Sequence, residues 1–481
     1  MPGKSIEQTI ADAQAPHTWM PRTLGPLPLT MMGIGVTVGS GLFVLTGTAA
    51  ADYAGPAITV SFVIGAAVAL LVAVSYAEFA GSVPVAGSAY TYAAAALGEF
   101  CAWVIGWDLM LEMTVGAAAV SVGWSGYLED LLGVLGIRFP ATLSGPDAVL
   151  NVPAMSLVLA LTVVLVLGIR LTARVTTVMT AVKVLAAIAF VLVGARHVDP
   201  ANWSPFVPAP RASPTGGAWE TPLISIFDAQ ATRYGPVGVL TGGAIVFGAY
   251  TGFDIIASSA EETRQPQRTV PLAIAGTLLV CSTLYVSVSL VLTGMVRYDR
   301  IDPAAPVTGA LRMVGATWTA LGVATGAVVG LAAVVLVMMM GQARVFLAMS
   351  RDGLLPRWFA AVHPKRRTPQ RITVVLGAGV ALVAGTTPIT ELAELSNIGT
   401  LAAFAIVSGG VLRLRVTRPD LTRAFRVPLV PWLPVLAILA CVVLALHYPL
   451  VTWARFLMWM VLGLLIRFSV ARHRPTTGPG S

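Results

Sequence analysis

The sequence predicts an all-α polytopic membrane protein. Three observations carry that reading. Of the 481 residues, 56% are hydrophobic and only 11% are charged, whereas soluble domains carry about 25% charged residues. The apolar residues fall into twelve runs, each close to the ~20 residues that a helix needs to cross a bilayer. Two of these runs, five apart, are interrupted by glycine at matching places. The net charge of +8 does not point to nucleic acid, because the basic residues cluster between apolar runs as cytoplasmic loops do.

In chain order the runs lie at 29–51, 56–80, 99–127, 154–171, 176–195, 238–259, 271–295, 317–349, 371–389, 395–413, 430–447 and 450–468. Pro56 and Pro271 each stand near the start of a run, where a missing N–H costs nothing. Residues 1–28 are polar and mixed in charge. They lack the short apolar core of a signal peptide and read as a cytoplasmic segment. The connecting segments and termini place twenty Lys and Arg on one side, among them Arg351, Lys365, Arg366, Arg367, Arg413 and Arg415, against eight on the other, among them Arg233, Arg300 and Arg312. The positive-inside bias then sets both termini in the cytoplasm of a cell whose cytoplasmic (inner) membrane holds the protein. Residues 196–237, rich in Pro, Ser and Gly, become an extracellular loop. Residues 414–429 become a cytoplasmic loop, and 469–481 a cytoplasmic tail.

The first run contains Gly33-Ile34-Gly35-Val36-Thr37-Val38-Gly39-Ser40-Gly41. Each glycine costs a helix about 1 kcal/mol relative to Ala, a loss that makes sense where backbone must unwind or admit a ligand. In lipid, unwound backbone is tolerated only inside protein or along a cavity. A close helix–helix contact through small residues would account for this stretch equally well. The sixth run carries a second break, Gly248-Ala249-Tyr250-Thr251-Gly252-Phe253-Asp254. Each break opens a set of five runs, 29–195 and 238–413, and 430–468 adds two further helices. Paired interruptions of this kind point to a transporter site between inverted repeats. Five plus five plus two spans is the arrangement of the leucine-transporter type of fold.

Several polar residues sit inside the runs. Lys183 lies mid-run, where a charge costs about 2.5–3.5 kcal/mol on the insertion scale. It must face a cavity, find a partner or release its proton; the plainer reading is a side chain snorkelling to the interface. Asp254 follows the second break. Asp108 and Glu112 are four apart and share a helical face, where they either cap helix ends or relay protons. Glu78, Glu261 and Glu262 end runs and read as solvated or loop-pairing charges. Trp103, Trp107 and Trp124 read as packing and interface anchors. Phe247, Tyr250 and Phe253 flank the second break, either to close over a substrate or to fill the core. Cys101, Cys281 and Cys441 show no disulfide framework, and the five histidines have no metal-ligand spacing.

The motifs also resemble a known family. Gly39-Ser40-Gly41-Leu42-Phe43-Val44-Leu45-Thr46-Gly47, Ala77-Glu78-Phe79-Ala80 and Pro84-Val85-Ala86-Gly87-Ser88-Ala89-Tyr90-Thr91-Tyr92 resemble the amino acid–polyamine–organocation superfamily. Gly98-Glu99 with Trp103-Val104-Ile105-Gly106-Trp107-Asp108-Leu109-Met110-Leu111-Glu112, Gly252-Phe253-Asp254, Ala260-Glu261-Glu262-Thr263, Gln265-Pro266-Gln267-Arg268, Arg351-Asp352-Gly353-Leu354-Leu355-Pro356 and Glu394-Leu395-Ser396-Asn397-Ile398-Gly399-Thr400-Leu401 narrow this to a bacterial member of its cationic amino acid transporter family. The likeness covers about residues 22–430. It implies the leucine-transporter-type fold and secondary amino acid transport. It also implies a substrate site at the two breaks, made by Val36, Thr37, Gly39, Ser40 and Gly41 and by Phe247, Tyr250, Thr251 and Gly252. Lys183 matches a lysine that some relatives carry where sodium-coupled members bind sodium. Animal members have fourteen spans, against twelve here.

The expected function is import of amino acids, small neutral or cationic, by sodium-independent proton symport with alternating access. Lys183, Asp254 and Glu112 are the expected proton carriers. The alternative is a sodium-independent exchanger without proton coupling. No nucleophile–base pair, metal cluster or nucleotide loop supports an enzyme, and no cofactor is expected. The partners are substrate, protons and the lipid bilayer, with no nucleic acid; a small accessory membrane subunit is left open.

Overall fold

The computed structural model describes residues 25–472 apart from 83–88, 135, 138, 141, 146–147, 169–172, 213–216, 227–231, 259–262, 264, 362, 364–368, 422 and 424. Glu261, Glu262, Lys365, Arg366, Arg367 and residues 84–88 of the proline motif therefore lie outside the described residues. So do 1–24 and 473–481.

Each apolar run holds a helix. In order they are α1 (Pro26–Thr37), α2 (Ile58–Ser82), α3 (Glu99–Val134), α4 (Val152–Leu167), α5 (Ala173–Gly194) and α6 (Gly235–Phe247) with α7 (Phe253–Ser258). Then follow α8 (Pro266–Met295), α9 (Thr317–Arg351), α10 (Gln370–Thr386), α11 (Ile389–Thr417), α12 (Trp432–Ala445) and α13 (Leu450–Arg472). Two short helices, Ala89–Leu97 and Pro306–Met313, lie between runs. Among the described residues the only sheet is one antiparallel pairing in the loop at 196–237, Arg211–Ala212 with Thr232–Arg233. Eight helical stretches are long and apolar enough to cross a membrane by length and composition. One of them, Gly41–Ala80, joins the end of the first run to the second; α1, α4, α10 and α12 are apolar but shorter.

Several boundaries move for local reasons. The Asn151 carbonyl oxygen of the side chain accepts from Ala154 N at 3.0 Å and caps α4. Gly168, at φ 75°, stops it at Leu167 rather than 171. Helix α8 begins at Pro266, so Pro271 lies inside the helix and not at its start. Helix α11 begins at Ile389, six residues before the apolar run.

Helix α3 is buried along much of its length and packs against α9 and α11, while α1 packs against α8 and α5, and α6 against α2. Trp107 stacks on Trp103 and on Trp459 of α13. The two indoles of Trp107 and Trp459 each donate to the other's backbone carbonyl, at 2.9 and 3.1 Å.

Of the two readings of Glu78, a solvated or a loop-pairing charge, the structure shows the pairing one. Its side chain is 4% exposed. It accepts two bonds from Arg415 at 2.8 and 2.7 Å and one from Val427 N at 2.7 Å, with Arg423 at 3.3 Å. The segment after α11 folds over the end of α2, so the carboxylate loses water and takes two guanidinium groups in exchange.

Candidate functional site

Both interrupted runs unwind where glycine predicts it. Helix α1 ends at Thr37, and Val38 leaves helical geometry with ψ 92°. The chain winds again from Gly41 as a five-residue π-helix, Gly41–Leu45. In the sixth run, α6 ends at Phe247, and a 3-10 turn, Gly248–Tyr250, follows. Thr251 is extended, and Gly252 sits at φ 120°, a conformation that only glycine takes without strain, before α7 starts.

The two breaks touch. A Cβ at Gly41 would fall well inside contact with the Cβ and Cα of Ala249, and one at Gly252 would meet Thr37 Oγ1 at 3.0 Å and Thr37 N at 3.1 Å. Gly39 differs: a Cβ there would meet Val334 at 3.6 Å and Val36 O at 3.8 Å, both ordinary contacts. Ser40, Gly248 and Thr251 keep exposed surface, while Val36, Thr37, Gly39, Gly41, Phe247, Tyr250 and Gly252 are buried. The Thr37 hydroxyl, at the meeting of the breaks, has no hydrogen-bond partner among the described residues.

The aromatic side chains take the packing role. Phe247 lies edge-on to Phe404, and Phe253 packs on Tyr76 and Phe404. Tyr250 points to α2, packs on Phe62 and Tyr285, and donates to Phe62 O at 2.8 Å. What these residues offer a ligand is backbone. On α9, Val334 lies beside Gly39 of the first break, while Met338 lies beside Gly116 of α3.

Lys183 does not snorkel. It is 1% exposed, and its ammonium group donates to the carbonyl of Gly35, in the last turn of α1. Tyr285 is a functional candidate that the sequence reading missed. Its hydroxyl lies within hydrogen-bonding distance of both breaks, 2.9 Å from Thr37 O and 2.7 Å from Ala249 O, and its single proton serves one of the two carbonyls at a time. A lone tyrosine in an apolar run is its only trace in the sequence. Asn397 was missed likewise; its amide nitrogen donates to Ala244 O and Ile245 O in the last turn of α6.

The expected proton carriers are placed less simply. Asp254 Oδ1 accepts from Gly252 N at 3.1 Å, which ties the turn ahead of α7. Glu112 lies near it, and the Thr400 hydroxyl stands against Glu112. Asp108 is buried beside Gly399, and neither of its carboxyl oxygens has a partner among the described residues.

A family model described as amino acid permease matches residues 24–466. A branched-chain amino acid permease of Bacillus subtilis is 44% identical over 477 residues, covering 98% of this chain and 97% of the relative. A methylthioribose transporter of the same organism is 39% identical over 465 residues, covering 96% and 95%. A vacuolar cationic amino acid transporter of Arabidopsis thaliana is 35% identical over 410 residues, covering 84% of this chain and 65% of the relative.

Proposed function

The chain belongs to the amino acid permease family, and on that premise we propose that it imports apolar amino acids by sodium-independent proton symport. Transport follows alternating access across the cytoplasmic membrane, with twelve spans and both termini inside. The substrate carboxylate meets the N–H groups that open the helix at Gly39–Gly41, where a half-helix offers free donors and the positive end of its dipole. The ammonium meets the carbonyls that close α1 and α6. Val334, beside Gly39, faces the side chain and favours a neutral apolar one, as the printed name of the branched-chain permease also suggests.

The observation that carries the coupling is the Lys183 ammonium on the Gly35 carbonyl. Charged, it ties α5 to α1 just before the break; without its proton it donates more weakly and the tie loosens. A cation held there also excludes sodium. The test is uptake into proteoliposomes in sodium-free buffer, after a thermal-shift screen of the twenty amino acids and methylthioribose has chosen the ligand. The parent protein accumulates substrate when the outside is acid. One pH unit is worth about 1.36 kcal/mol, or about tenfold accumulation per proton. A potential of 100 mV adds about 2.3 kcal/mol per charge. Lys183→Ala reaches the membrane but does not accumulate. Accumulation by Lys183→Ala with the parent's pH dependence, or a sodium requirement in the parent, sinks the mechanism.

A further inference from the structure

A helix leaves its last four carbonyls without partners of its own, so each break poses the same question: what holds the carbonyls that face it? At the first break Val38 N takes Ile34 O at 2.9 Å, Lys183 takes Gly35 O, and Tyr285 takes Thr37 O. At the second break the Asn397 amide takes Ala244 O at 3.2 Å and Ile245 O at 2.9 Å, and the Tyr448 hydroxyl adds a bond to Ala244 O at 2.6 Å. Lys183 stands 148 residues after its carbonyl, and Asn397 stands 153 and 152 after its two. Lys183 lies on α5, the last helix of the first set of five runs. Asn397 lies on α11, the last helix of the second set. In each set, then, the last helix sends a nitrogen donor to the carbonyls that end the first. The two donors differ in one respect, because an amine gains and loses a proton and an amide does not.

We propose that Asn397 is the non-titrating counterpart of Lys183, a positioning residue that aims the end of α6 at the substrate's ammonium group. This rests on the reading in which that ammonium meets the end of α6. Val246 and Phe247 carry the next two carbonyls, so a donor that fixes Ala244 and Ile245 also fixes the direction of those that follow. The amide has one orientation open to it. It is 3% exposed, and a Cβ at Gly248 would fall well inside contact with its oxygen. Turning the amide over would set that oxygen against two carbonyls. Its ionisable neighbours are Tyr448 and, one turn earlier, Glu394, which accepts from Thr452 at 2.7 Å. The first break is thereby held through a proton and the second without one, so protonation moves α1 while α6 keeps its aim.

The experiment compares Asn397→Ala, Gly248→Ala and the double variant with the parent protein. The ligand is the amino acid that gives the parent its largest thermal shift. KM and maximal rate are measured in proteoliposomes across external pH. Asn397→Ala raises KM about tenfold, the equivalent of one lost hydrogen bond, and keeps the parent's pH profile. Gly248→Ala, which pushes the amide off its carbonyls, does the same. The double variant is no worse than Asn397→Ala alone, because the added methyl then has no amide to displace. An unchanged KM, a fall in maximal rate alone, a shifted pH profile or additive effects each overturn the proposal. So does failure of both single variants to fold, which assigns Asn397 to the scaffold. A parent that binds no amino acid overturns the transport reading, and this one with it.

Discussion

Gly39 and Gly41 look alike along the chain, and the tertiary contacts separate them. Take Gly41→Ala first. The new methyl falls inside Ala249, a buried residue of the second break, and meets its backbone as well as its side chain. No flexible side-chain end is available to yield, so one break must move off the other. Extra methyl groups forced into a packed core cost about 1–3 kcal/mol. The same movement pulls apart the two carbonyls that the Tyr285 hydroxyl faces at 2.9 and 2.7 Å, so that it keeps only one of them within hydrogen-bonding distance. Gly41→Ala should therefore lower the unfolding midpoint and also remove ligand binding, since a misplacement of about 1 Å in a positioned site can cost about a hundredfold. Gly39→Ala adds a methyl at an ordinary 3.6 Å from Val334. It should melt like the parent and still lose affinity, because the methyl occupies space reserved for the substrate carboxylate. Thermal unfolding in detergent, with and without the amino acid, separates the two. A Gly41→Ala protein that melts and binds like the parent refutes the contact between the breaks. A Gly39→Ala protein with the parent's affinity refutes substrate approach at Gly39.

Two further outcomes are expected. Glu78→Ala leaves Arg423 buried and Arg415 partly buried without their carboxylate, and breaking a buried pair in this way costs about 3–5 kcal/mol; Glu78→Gln, which still accepts from Val427 N, should cost less, and equal unfolding midpoints for Glu78→Ala and the parent would show that the cluster holds nothing together. Asp254→Asn keeps an oxygen for Gly252 N, so the Asp254→Asn, Glu112→Gln double variant should fold normally and exchange substrate while accumulating less under a pH gradient; accumulation equal to the parent's would make both carboxyls structural.

Some of this protein was decided by residues close together in the chain. Run length and hydropathy place every apolar helix, because a bilayer asks each helix to be apolar over its own length. Helix breaking is equally local, and both unwound stretches fall on the glycines that weaken their runs, Gly39 and Gly41 in one and Gly248 and Gly252 in the other. The isolation of Lys183 in an apolar run already asked for a cavity, a partner or the loss of its proton, unless the side chain reached the interface.

Which partner it finds is another matter, and there the tertiary structure decides. Gly35 lies 148 residues from Lys183, and Asn397 lies more than 150 from its carbonyls. Hydropathy is blind to such pairs, because a hydrogen bond depends on where two helices are brought together and not on either run alone. The same holds for Tyr285, whose hydroxyl has meaning only where both breaks converge, and for Glu78, which looks like a surface charge until the segment after α11 closes over it. The run sets what must be buried and where the backbone will yield. Packing between helices sets which polar atoms meet once water has been excluded, and in this protein those meetings hold the two breaks in place.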